Sequence, residues 1–218
     1  MSDELVKRII SSVILIPITL YIVIQGSNLF NLFLITSLFL SCREWFLIVK
    51  KKIYYFLGFL FLLFSYLSIY SIRNNFGESS LNFFLIIFLI CVLTDIGGYI
   101  FGKLFKGPKL TKISPKKTYS GMIGSFIFSI VGLFIFVNYS IYLDFKSLEF
   151  DLNFFFFVLL ISSISQLGDI TISYFKRLSN INDTGNIIPG HGGILDRTDG
   201  MIFSYPFAYL LLKFNLLL

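Results

Sequence analysis

Between Ile9 and Cys42 the chain carries no Asp, Glu, Lys or Arg. A helix crosses the hydrocarbon core of a bilayer with about 20 mainly apolar residues. This run is long enough for two such helices, and Gln25-Gly26-Ser27-Asn28 near its middle supplies the turn. Composition supports the same reading along the whole chain. Of the 218 residues 56% are hydrophobic and 14% charged, with a mean hydropathy of +0.84, whereas a soluble domain has roughly 25% charged residues. The fold class is therefore all-α, a polytopic helical membrane protein.

Apolar runs place about seven transmembrane helices, at 9–25, 29–48, 53–72, 81–102, 121–143, 152–175 and 201–218. The run at 81–102 is the most interrupted, because Asp95, Gly97 and Gly98 fall inside it, while Gly98 and Gly102, on the face of Asp95, would let another helix or a ligand approach closely. The opening M-S-D-E-L-V-K-R is not followed by a small-residue cleavage site, so the first span reads as uncleaved. Basic residues mark the cytoplasmic side of membrane proteins. With a cytoplasmic N-terminus, every Lys and Arg except Arg73, Lys146 and Lys213 falls on that side. The N-terminal helices then occupy 1–80, and a catalytic unit at 81–218 carries cytoplasmic loops at 103–120 and 176–200. Nucleic acid is not an expected partner, since no soluble domain exists to present a basic surface. Cys42 and Cys91 lie in separate apolar segments and form no paired motif.

Charge is concentrated where the apolar runs stop. From Ser173 to Asp199 the chain sets Lys176, Arg177, Asp183, His191, Asp196, Arg197 and Asp199 among glycines that include Gly192 and Gly193. Glycine admits positive φ and close approach to a ligand. Asp169 lies inside the preceding span, and charge at that depth is costly unless it faces a cavity or a partner. Ser162, Ser165, Gln166, Asp169 and Ser173 recur every three or four residues, which makes one polar helix stripe. Asp95 occupies a similar place on another span, eight residues before Lys103. Asp196 and Asp199 share a face if their segment is helical. Carboxylates of this kind suit Mg²⁺, which takes a few oxygen ligands together with waters and substrate phosphates. Zinc is not expected from one histidine and two distant cysteines. A second basic cluster, Lys109 to Gly121, offers Ser114, Lys116 and Lys117 on the same side. An ion transporter would need the polar stripe to continue outward, but beyond Ser162 stand Phe154 to Phe157.

These residues resemble the phosphatidate cytidylyltransferase (CDP-diacylglycerol synthase) family. The family's long signature is matched at Ser173, Phe175, Lys176, Arg177, Asp183, Gly185, Pro189, His191, Gly192, Gly193, Asp196, Arg197 and Asp199. Q-L-G-D ending at Asp169, I-S-P-K-K-T at 113–118 and D-I-G-G-Y at 95–99 fit as well, and Arg43-Glu44-Trp45 resembles a further N-terminal feature. The chain departs from the family at Asn182, which replaces a lysine, at Ser120, which replaces a glutamate, and at Gly200, where serine is common. It is also shorter than usual in its N-terminal half.

The resemblance implies transfer of the cytidylyl group from CTP to phosphatidic acid in phospholipid biosynthesis. It implies an integral protein of the bacterial inner membrane, with the lipid bilayer as surroundings, a cytoplasmic active site and a homodimeric state. Mg²⁺ with a second cation such as K⁺ is the implied cofactor set. By the same carry-over, Asp169, Asp196, Lys176 and Arg177 are catalytic, and Asp169, Asp196, Asp199 and Asp95 are metal ligands. Ser114, Lys116, Lys117, Ser173, Asp183, His191, Gly192, Gly193 and Arg197 are substrate-binding. The competing readings are a membrane transferase or kinase with another lipid acceptor, and an inactive homologue.

Overall fold

Apolar runs of this length become helices because a helix satisfies its own backbone polar groups where no water is available. The computed structural model describes residues 3–49, 52–111, 114, 117–140, 150–188, 190 and 192–216; Lys116 and His191 lie outside them. The described residues form seven α-helices and no strand: α1 (Asp3–Gln25), α2 (Ser27–Ile48), α3 (Lys52–Asn74), α4 (Ser80–Phe105), α5 (Tyr119–Ser140), α6 (Leu152–Leu178) and α7 (Leu195–Lys213). A 3₁₀ turn at Gly77–Ser79 leads into α4. Among the described residues five stretches are long and apolar enough to cross a membrane: Ser27–Ile48, Ile53–Asn74, Gly77–Phe105, Tyr119–Asn138 and Leu152–Leu178. Val13–Gln25 and Met201–Lys213 are shorter apolar helices.

Two elements bear on the sequence reading: α4 bears out the span at 81–102, and α7 starts earlier than expected. α4 runs unbroken through Asp95, Gly97 and Gly98, because those glycines are a packing surface. A Cβ on Gly97 would strike the Gly124 carbonyl oxygen, and one on Gly121 would come within 2.8 Å of the Gly98 carbonyl oxygen. α4 and α5 thus meet backbone to backbone, as small residues allow between membrane helices. α7 starts at Leu195 rather than near 201, which draws Asp196 and Asp199 into its first turns.

The core lies among α3, α4, α6 and α7, where Ile86, Ile87, Ile90, Val158, Ile161, Ile202 and Ala208 are buried. Tyr205 is buried with them, and its hydroxyl donates to the Phe84 carbonyl at 3.1 Å. Leu32, Ile35, Phe39, Phe56, Ile123, Val131 and Phe134 are exposed on the outside. Apolar surface on that scale is untenable in water, so this is an integral membrane protein. The polar stripe of α6 faces protein, with the Thr94 hydroxyl on α4 donating to Ser162 Oγ at 2.8 Å.

Candidate active site

The α4–α5 connector folds back on itself. The Leu110 N–H donates to the Lys117 carbonyl at 2.8 Å, and the Tyr119 N–H donates to the Pro108 carbonyl at 3.1 Å. This tight return carries the Lys117 ammonium onto α6, where it pairs with Asp169 and lies 3.4 Å from the Gln166 carbonyl. Ser173, one turn on along α6, donates its hydroxyl to Asp169 Oδ1 at 3.3 Å. Gly168 makes room for the opposite wall. A Cβ there would lie 2.6 Å from the Asp199 carbonyl oxygen, so only glycine lets α7 approach α6 this closely beside Asp169.

The loop from α6 to α7 is organised by carboxylates. Asp196 Oδ1 accepts from Lys176 Nζ at 2.7 Å. Its Oδ2 accepts from the Thr184 N–H at 2.7 Å and the Gly193 N–H at 2.9 Å, and lies 3.0 Å from the Thr184 hydroxyl, whose single proton it shares with Glu44. Gly192 takes φ +87°, a left-handed conformation suited to glycine. Glu44 reaches the same loop from α2 and accepts from the Ile194 and Leu195 N–H groups, each at 2.9 Å, and from the Thr184 hydroxyl at 2.7 Å.

These elements enclose a cleft of about 400 Å³. Asp95, Ser114, Lys117, Gln166, Asp169, Lys176, Asp183, Asp196, Arg197 and Asp199 line it, with Thr94, Gly98, Thr118 and Ser125 on the α4 and α5 side. Asp95, Asp169 and Asp199 share this cleft with the Lys117, Lys176 and Arg197 cations. The cleft therefore assembles carboxylates and cations from four separate stretches of chain.

Most of the residues singled out in the sequence meet here; some do not. Arg177 is exposed away from the cleft lining, and its guanidinium donates to Asn182 Oδ1 at 2.7 Å. Ser173 acts from behind Asp169, while Gly192 and Gly193 shape the loop. In the sequence Glu44 stands out only within Arg43-Glu44-Trp45, as part of a resembling N-terminal feature with no role in the site; Thr184 was not foreseen and left no signal.

Among the described residues no group of three or more acidic, imidazole or thiol side chains is arranged to hold a metal ion by itself. The carboxylates among the described lining residues offer oxygen donors, and Mg²⁺ ordinarily takes one or two carboxylates plus waters and substrate phosphates. Asp95, Asp169 and Asp199 line the cleft and offer carboxylate oxygens of that kind. Asp196 accepts from Lys176 and from the Thr184 and Gly193 N–H groups, and Asp169 from Lys117 and Ser173.

Residues 52–215 match the cytidylyltransferase family. The chain belongs to that family. Every cleft-lining residue of this cytidylyltransferase-family chain falls within the matched stretch. A phosphatidate cytidylyltransferase of Rickettsia bellii is 34% identical over 213 residues, spanning 96% of this chain and 91% of that protein. One from Rickettsia felis is 32% identical over 94% of this chain and 90% of its own length. One from Staphylococcus saprophyticus is 40% identical over 139 residues, 62% of this chain and 50% of that protein.

Proposed function

We propose that this chain transfers the cytidylyl group of CTP to phosphatidic acid, forming CDP-diacylglycerol and pyrophosphate. The observation that carries this reading is a cleft of apposed carboxylates and cations, in a chain that is similar over nearly its whole length to a phosphatidate cytidylyltransferase. A lipid phosphate oxygen attacks the α-phosphorus of CTP. A new P–O bond forms, the bond from the α-phosphorus to the bridging oxygen breaks, and pyrophosphate leaves with that oxygen.

Two anions must meet for this to happen. Lys117, Lys176 and Arg197 lower their repulsion and stabilise charge that builds on the phosphoryl oxygens. Asp169, with Asp95 or Asp199, would hold Mg²⁺ together with waters and substrate phosphates, and K⁺ is the candidate second cation. A bound divalent ion supplies charge neutralisation and Lewis-acid polarisation of phosphoryl oxygens. No protein nucleophile enters the scheme.

The distribution of Lys and Arg favours seven crossings with the N-terminus in the cytoplasm of a bacterial inner membrane, so the cleft opens to cytoplasmic CTP. The active form is a homodimer. The test is purified protein in mixed micelles with phosphatidic acid, cytidine-labelled CTP and Mg²⁺. A nucleotide-bearing lipid is the expected product, and its absence overturns the reading.

A further inference from the structure

Glu44 lies on α2, outside the stretch that matches the family, and its carboxylate is buried, the residue being 2% exposed. A buried carboxylate is costly unless its oxygens are well supplied with donors. Here each is. Oε1 accepts from the Ile194 N–H, and Oε2 accepts from the Leu195 N–H and the Thr184 hydroxyl. Ile194 is the N-cap of α7, so two amides left unpaired by the start of that helix are satisfied from a distant helix. A carboxylate is also favoured there by the positive end of the helix dipole.

The Thr184 hydroxyl links the two halves of the network. It stands between Glu44 Oε2 and Asp196 Oδ2, and Asp196 in turn holds Lys176. A continuous polar chain thus runs from α2 through Thr184 and Asp196 to a cleft cation. The loop glycines follow from it. A Cβ on Gly185 would lie 3.0 Å from Glu44 Oε1, and one on Gly193 would strike the Glu44 carboxylate and the Thr184 hydroxyl.

We propose that Glu44 is a positioning residue for the cleft, fixing the 183–196 loop and the first turn of α7 so that Lys176 and Arg197 face the polyphosphate substrate. Glu44 touches no substrate itself. The kinetic part of the proposal rests on the CTP-dependent reading above; the structural part does not.

Two variants test it, Glu44→Gln and Thr184→Val, in the full-length protein. Loosened cations bind an anion more weakly, so the KM for CTP is expected to rise about 10-fold or more in each, within the range for outer-shell partners. A smaller folded fraction lowers the maximal rate but leaves KM unmoved. The double variant is expected to be little worse than the worse single one, because both cut the same chain of contacts. An unchanged KM in both variants, or penalties that multiply in the double variant, overturns the proposal. Hydrogen exchange decides the structural part independently of activity. In Glu44→Gln the amides of Thr184, Gly193, Ile194 and Leu195 are expected to exchange faster while those of α4 and α6 do not. Unchanged protection of that loop overturns the proposal even if the wild type proves to catalyse another reaction. Failure of the wild type to use CTP, with the loop loosened as expected, counts against the CTP reading alone.

Discussion

Asp169 and Asp196 look equivalent in sequence, yet they sit in different electrostatic situations, and replacing each by Asn should separate them. The Asp196 side chain is 6% exposed and its partner Lys176 12%. Breaking a buried pair by removing one charge costs about 3–5 kcal/mol, because the other charge is left uncompensated. An Asn at 196 keeps one acceptor oxygen for the Thr184 and Gly193 amides, so the low end, about 3 kcal/mol, is the better figure. For a chain of this size that corresponds to a fall in Tm on the order of 5–10 °C. Asp169 is 32% exposed and Lys117 22%. A pair with that access to solvent contributes about 0–1 kcal/mol, so Asp169→Asn should leave Tm nearly unchanged. Activity should respond differently, with Asp169→Asn abolishing Mg²⁺-dependent turnover in a fully stable protein. Asp196→Asn should lose both activity and stability. The assay is thermal unfolding in detergent alongside formation of nucleotide-bearing lipid. Near-wild-type turnover by Asp169→Asn, or equal drops in Tm for the two variants, refutes the assignment.

Other perturbations probe the remaining parts. Gly97→Leu should separate α4 from α5 and cost several kcal/mol through overpacking against the Gly124 backbone, read as loss of monodisperse protein after heating. Asn182→Lys removes only an exposed acceptor for Arg177, so turnover should be retained or raised; complete loss would contradict that placement. Cysteine at Ile187, an exposed loop position, should react with a membrane-impermeant reagent from the cytoplasmic side only, measured by mass shift in oriented vesicles. The buried Cys42 and Cys91 should contribute no background. Labelling from the outer side refutes the orientation.

The helices were legible because apolar length alone dictates them in lipid. The polar stripe of α6 was legible because helical periodicity puts Ser162, Gln166 and Asp169 on one face, and the cleft lies along it. What stayed hidden depended on contacts between distant segments. Gly98 and Gly102 were legible as points of close approach beside Asp95, but nothing local announces that Gly121 and Gly124 are what pack on this face. The division of labour between Asp196 and Asp169 is set by Thr184, Gly193 and Lys176 folding around one of them. Arg177 adjoins Lys176 in sequence but leaves the helix on another side and binds Asn182 instead. Glu44 stood out only as part of Arg43-Glu44-Trp45, and its role was the hardest to foresee, because its partners lie about 140–150 positions along the chain.

The central claim is that the nucleotide's α-phosphorus, and not its terminal phosphate, is transferred to a lipid phosphate in this cleft. Parallel reactions with CTP labelled at the α- or the γ-phosphate test it most directly. The account expects α-label in the lipid fraction and γ-label in released pyrophosphate, both lost in Asp169→Asn. Label from the γ-position in the lipid would mark a kinase and contradict it.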